Sequence, residues 1–188
     1  MLLRFIHFNK GIVAVLFLCF NYINVSAQFQ PEIFKSKQGE VMPYQLLKPI
    51  NFSPNINYPL VIILHGAGER GDDNISQLSH GSSLFLDSNI RKRFPAFVLF
   101  PQCPEGKYWA TVLSREGPNK FVYSATPDSN LVLDVLTDLL SDLDSLYHFD
   151  KNRMYIGGLS MGGMGTFEMV YRNPQKFAAA FAICGGAN

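Results

Sequence analysis

The stretch Gly158-Leu159-Ser160-Met161-Gly162 constrains this chain more than any other, because a serine sits there between two kinds of secondary structure. Arg153-Met154-Tyr155-Ile156 before it is a short apolar run suited to a buried strand. The residues from Met161 to Tyr171 have helix-forming character until Asn173-Pro174 stops them. A strand that turns straight into a helix holds the intervening residue in a strained conformation, with its side chain thrust out above the sheet edge. Small residues two places before and after it let strand and helix pass closely. The five-residue pattern is weak taken alone, and a glycine-rich structural turn is the competing reading. The flanking strand and helix raise Ser160 to a candidate nucleophile.

The N-terminal stretch has a different character. Arg4 and Lys10 precede the apolar run Ile12 to Phe20, and Val25-Ser26-Ala27 offers small residues for cleavage. The apolar run is too short to span a bilayer, so residues 1–27 are expected to be a signal peptide, giving a secreted or periplasmic protein. Cys19 does not suit a lipid anchor, because Leu18 before it is bulky. Residues 28–188 remain as one domain, with 14 basic and 15 acidic side chains. That balance gives no reason to expect nucleic acid or a membrane surface as partner. The cluster Arg91-Lys92-Arg93 is expected to be a solvated helix end.

Further along, Val41 to Leu47 alternates like an antiparallel strand, and Leu60-Val61-Ile62-Ile63-Leu64 is a continuous apolar run, the mark of a strand buried on both faces. Ala96 to Phe100 and Phe177 to Cys184 complete the set. Asn74 to Ile90 is expected to contain a helix. From Leu131 the residues Val135, Leu139 and Leu143 fall four apart, with Asp134, Asp138, Asp142 and Asp144 on the other side, a helix with a solvated acidic face. Strands alternating with helices predict an α/β fold, a mostly parallel, doubly wound sheet with helices on both faces. Gln102 to Asp128, rich in proline and glycine, is expected to be a long functional loop. Cys103 and Cys184 are expected to stay unbridged, because the strands that precede them should be separated by two others.

Acyl transfer by a serine needs a base, a group to orient that base, and donors for the oxyanion. The N–H of Met161, at the start of the helix, is one expected donor. The other should come from His65-Gly66-Ala67-Gly68, where small residues leave a strand; Ala67 is the first choice and Gly66 the second. A tight turn that merely needs glycine is the alternative. No histidine follows Ser160. His65 is expected to brace its loop rather than abstract a proton, and His80 and His148 lie outside the position of a base. Spacing for a zinc site is lacking, and neither metal nor cofactor is expected.

The run His65 to Asn74 (His-Gly-Ala-Gly-Glu-Arg-Gly-Asp-Asp-Asn), with Pro101-Gln102-Cys103-Pro104, Trp109, Asn152 to Gly163 and Phe177-Ala178-Ala179, resembles a secreted branch of the α/β-hydrolases. This branch comprises predicted peptidases and phospholipase/carboxylesterase-like esterases, and is similar to polyhydroxybutyrate-depolymerase-like and feruloyl esterases. The resemblance runs from about Val41 to the last residue. It implies an eight-stranded sheet of which this chain reaches the sixth strand, so the fold should be incomplete at its C-terminal side. It further implies that the triad Asp and His follow the seventh and eighth strands, beyond residue 188. An N-terminal fragment of a longer enzyme, inactive alone and with an exposed apolar sheet edge at Phe177–Cys184, is therefore expected. The implied activity is hydrolysis of carboxylic esters, small or polymer-linked, through an acyl-enzyme on Ser160. Trp109 and Tyr108 are candidates for stacking on a sugar or aromatic ring. A serine peptidase of the same fold and a non-catalytic secreted binding protein are the alternatives; a dienelactone-hydrolase-like reading is weaker, since that chemistry uses cysteine.

Overall fold

A computed structural model describes residues 29–117, 120–124 and 129–186. The expected signal peptide lies outside these residues. Eight strands are described: β1 (Gln30–Lys35), β2 (Val41–Leu47), β3 (Leu60–Leu64), β4 (Phe97–Pro101), β5 (Val112–Gly117), β6 (Lys120–Tyr123), β7 (Met154–Leu159) and β8 (Ala179–Ile183). Four α-helices accompany them: α1 (Ser82–Leu86), α2 (Ser88–Arg93), α3 (Leu131–Tyr147) and α4 (Met161–Arg172).

Six strands form one sheet in the order β1-β2-β4-β3-β7-β8. β1, β2 and β4 pair antiparallel, whereas β4, β3, β7 and β8 run parallel. The reversal of strand order beside β3 puts the C-terminal ends of β3 and β7 side by side, with Leu64 opposite Gly158. In open parallel sheets, ligands bind at such an end.

The alternating burial of β3 divides its side chains between two layers. Leu60, Ile62 and Leu64 join Phe97, Leu99, Met154 and Ile156 against the buried stripe of α3, from Val132 to Leu143. Asp134, Asp138 and Asp142 of α3 are exposed, so its acidic face is solvated as expected. Val61 and Ile63 face the second layer with Leu47, Val98 and Phe100, under Phe29, Leu78 and Phe85. Helices therefore lie on both faces of the sheet, and the doubly wound α/β reading holds. An apolar groove of about 410 Å³ opens in the second layer, between α2 and the N-terminal ends of the parallel strands. It lies at the far end of the sheet from Ser160.

Two local readings change. The first strand, β1, was not anticipated: its residues are mostly exposed, so it lacks the apolar pattern that marks a strand. The Gln102–Asp128 segment contains the antiparallel hairpin β5–β6 rather than irregular chain alone. Between Asn74 and Ile90 the chain contains helix as expected, in two short pieces, α1 and the start of α2. Arg91, Lys92 and Arg93 form the last turn of α2, where basic residues complement the helix dipole.

β8 is the edge strand of the sheet on this side, with Phe181 45% and Ile183 50% exposed. Cys103, just past β4, and Cys184, just past β8, are free; β3 and β7 lie between their strands. Among the described residues no helix is long and apolar enough to cross a membrane.

Candidate active site

Ser160 is the single residue between β7 and α4, with φ 54° and ψ −112°. A side chain in that backbone region costs on the order of 1–3 kcal/mol. The strain persists because both flanks are locked. The Ser160 N–H donates to the Ile183 carbonyl of β8 at 2.7 Å, and its own carbonyl accepts from Met164 N–H at 3.1 Å. Its side chain is exposed and caps no helix amide, leaving the hydroxyl available. Met161 is buried and is the first residue of α4; its N–H therefore has no partner within the helix.

Close approach of β3 explains the small residues around the serine. A Cβ on Gly162 would overlap the Leu64 carbonyl and lie 2.9 Å from the His65 carbonyl oxygen. One on Gly158 would overlap Gly162 and come within 2.7 Å of the Leu64 oxygen. The elbow thus rests directly on the chain leaving β3, and that chain is the His65–Gly68 turn. A Cβ on Gly66 would stand 3.7 Å from the carbonyl oxygen of Leu159, which places Gly66 beside the residue before Ser160. Both expected sources of oxyanion donors, the 66–67 turn and the start of α4, therefore converge on one end of the sheet.

His65 is buried and engaged at both ring nitrogens. Nδ1 lies 2.6 Å from the Gly66 carbonyl oxygen, and Nε2 accepts the Cys103 N–H at 2.9 Å. An acceptor at Nε2 requires the neutral ring with its proton on Nδ1. Burial lowers the His65 pKa, opposed in part by the Gly66 carbonyl. The bond has a directional consequence. In a trans peptide, C=O and the following N–H point opposite ways, so tying the Gly66 carbonyl to the imidazole turns the Ala67 N–H away from it.

None of the described histidines is set up as a base for Ser160. His65 is committed to its loop. Exposed His80 stands 3.4 Å from Glu69, and His148 is the left-handed C-cap of α3. Glu69 also lines the turn, its Oε2 reaching within 2.9 Å of where a Gly66 Cβ would be. Sequence reasoning missed this carboxylate. Among the described residues no group of histidine, cysteine and acidic side chains could hold a metal ion.

Trp109 departs from its expected role. Its ring is wholly buried, packs edge-on to His65 at 5.3 Å between ring centres, and donates its indole N–H to the His65 carbonyl. A Cβ on Gly165 would collide with it. With no accessible face, Trp109 braces the turn and the nucleophile helix instead of stacking on a ligand. Tyr108 remains partly exposed, under the guanidinium of Arg70 at 5.3 Å and near Phe121. The hairpin that follows reaches back over the same end of the sheet, where Tyr123 Oη lies 2.8 Å from where a Gly186 Cβ would be.

A family model described as "Putative esterase" matches residues 36–188. The chain belongs to this esterase family. A thermostable esterase of known structure is 38% identical to it, with a TM-score of 0.73 over 85% of this chain and 42% of its own. The bifunctional acetylxylan esterase/xylanase XynS20E of Neocallimastix patriciarum is 27% identical over 155 residues, 82% of this chain and 19% of that protein. Fluorophosphonate-binding serine hydrolase F of Staphylococcus aureus is similar in fold, with a TM-score of 0.60 at 16% identity over 84% of this chain and 57% of its own. The chain thus spans well under two thirds of the length of these relatives. The sheet and helices are those of an α/β-hydrolase.

Proposed function

We propose that this chain carries the nucleophile and oxyanion half of a secreted serine esterase. The observation that supports it most is the backbone of Ser160, held at φ 54° with its hydroxyl exposed while glycines on both sides admit β3. Strain of this kind clusters at active sites, and here it surrounds an exposed side chain that caps no helix amide. Ser160 Oγ attacks the ester carbonyl, the alcohol leaves, and water releases the acid from the acyl-enzyme. Met161 N–H and Ala67 N–H, with Gly66 second, stabilise the tetrahedral oxyanion. None of the described histidines is assigned as the base: His65 is bonded at both ring nitrogens, His80 lies against Glu69, and His148 is the C-cap of α3; the base is assigned to a residue other than those described. Polysaccharide-linked acyl groups are the substrate class favoured by the acetylxylan esterase relative, with Tyr108 offering a partly exposed ring beside the turn.

The deciding experiment treats the full-length protein with a fluorophosphonate and compares p-nitrophenyl acetate with peptide amides. Phosphonylation at Ser160 together with ester turnover supports the reading. Turnover of amides alone would favour a peptidase. No label and no turnover would leave a non-catalytic binding protein.

A further inference from the structure

Gln102 is 0% exposed, and an amide buried so completely destabilises the fold unless all its polar atoms are bonded. All are. Its Nε2 donates to the Glu69 carbonyl at 3.2 Å and to Asp73 Oδ1 at 2.7 Å, and its Oε1 accepts the Asn74 N–H at 2.8 Å. The residues on either side continue the grip. Gln102 N–H donates to the Pro43 carbonyl of β2 at 2.8 Å, and Cys103 accepts the Gly71 N–H at 3.0 Å. Cys103 N–H in turn donates to His65 Nε2.

The loop is therefore held from the C-terminal end of β4 at both of its ends. His65 is held through Cys103, and Glu69, Asp73 and Asn74 through the one amide of Gln102. Between these anchors lie Gly66, Ala67 and Gly68, two of them glycines with little backbone restraint of their own, the last two opening a single 3-10 turn, Ala67–Glu69. Asp73 is a fixed anchor, because its carboxylate also accepts from the N–H groups of Ile75 and Ser76 and from the Ser76 hydroxyl. Those bonds, the Ser76 hydroxyl first, hold its pKa well below the usual carboxylate range.

We propose that Gln102 is a positioning residue for the acyl transfer proposed above: its carboxamide fixes the span of the 65–74 loop so that the Gly66 and Ala67 amides stay aimed at the oxyanion formed on Ser160. The inference rests on that reading of Ser160. Gln102 itself touches no substrate. A hydrocarbon at this position leaves the Asn74 N–H and the Glu69 carbonyl without partners. A carboxylate keeps the bond from Asn74 but sets a second negative charge against Asp73.

The test uses the full-length protein with Gln102→Leu, Gln102→Glu, and the pair Gln102→Glu/Asp73→Asn, in which the like charge facing the new carboxylate is removed while the position 73 oxygen can still accept from Ile75 and Ser76. Hydrogen exchange over residues 66–74 and over α3 is read beside kcat and KM for p-nitrophenyl acetate. In both single variants, exchange over 66–74 should rise by about fivefold or more, as expected for the loss of buried hydrogen bonds, three in Gln102→Leu and two in Gln102→Glu. α3 should keep its protection. kcat should fall about 10–100-fold with KM within about twofold, the signature of a misplaced transition-state donor. The pair should recover part of both losses relative to Gln102→Glu. Unchanged loop exchange overturns the proposal, and so does a loosened loop with unchanged kcat in an enzyme that turns over. If Gln102→Leu also loses protection in α3, the Gln102→Glu/Asp73→Asn pair decides, and its failure to recover counts against the proposal. A wild type without esterase turnover sinks the serine esterase reading and, with it, the positioning role, whereas the exchange data still report separately whether Gln102 locks the loop.

Discussion

A positive φ at a non-glycine residue is an energetic statement about one position, and Ser160 makes it most clearly. Glycine adopts φ 54° without the clash of a Cβ, so Ser160→Gly should relieve strain of about 1–3 kcal/mol, offset by about 0.4–1 kcal/mol of added unfolded-chain entropy. The expected net effect is a higher midpoint in thermal or urea unfolding, with esterase turnover abolished. Ser160→Ala keeps the strain and removes the hydroxyl, so it should lose about 10⁴-fold or more in kcat with little change in stability. Cys103 and Cys184 give a second contrast. Burial pushes the Cys103 thiol up to about 12, whereas Cys184 is exposed. Iodoacetamide on the native protein at pH 8 should label Cys184 and spare Cys103, as mass spectrometry of the peptides would report.

Elements hold one another in this fold through a few polar links between helix and loop. Glu168 of α4 accepts the Thr111 N–H and hydroxyl at 2.5 and 2.6 Å, and Arg172 donates to the same carboxylate at 2.6 Å. The side chains of Glu168 and Arg172 are 15% and 14% exposed, so the charges are largely shielded from water. These links bind the chain after Trp109, at the base of hairpin β5–β6, to the helix that begins at Ser160. Glu168→Ala removes them together and should cost about 2–4 kcal/mol in urea unfolding, since the bonds are charge-assisted and largely shielded from water. Glycine contacts act at the same scale. Gly162→Ala drives a methyl into the Leu64 carbonyl, backbone against backbone, and should destabilise by about 1–3 kcal/mol or more, with loss of fluorophosphonate labelling as strand and elbow part.

Stability as a function of pH belongs to the whole molecule, and His65 sets its acid side. Burial lowers its folded pKa, so below about 6.5 the unfolded chain binds a proton that the native state refuses. Unfolding is then favoured progressively as pH falls from about 6.5 toward the folded value, and the loss levels off below it. A urea midpoint series from pH 8 to pH 5 should decline, and His65→Gln should flatten that part of the curve. At the alkaline end Tyr44, raised to about 12 by burial, keeps its proton in the native state while the unfolded chain loses one above about 10; stability should fall again there.

The core of this molecule was legible because its signals are local. Leu60–Leu64 is apolar at every position, and the four-residue spacing of Val135, Leu139 and Leu143 marks one buried stripe, although Leu131, which opens the series, is exposed. The strand–serine–helix run likewise announces its own turn. The candidate oxyanion turn could be named from its glycines for the same reason. What the sequence could not supply was the set of contacts between distant segments. Trp109 looked like a loop aromatic free to meet a ligand, and its burial against His65 and Gly165 depends on the fold bringing residues 44 and 56 positions away to it. β1 has no apolar face of its own and exists because β2 offers it an edge to pair with. Gln102 stood in the sequence as one residue of the Pro101–Pro104 run, with no local pattern to say what its amide would bond; only when β4 is laid beside β2 and β3 does that amide meet Glu69, Asp73 and Asn74. By itself, then, the sequence determined where the chain turns, which faces are apolar and which serine is strained, since those follow from neighbours a few residues apart. Tertiary structure alone decided which buried polar groups find partners, because hydrogen bonds demand distances and directions that no local pattern encodes.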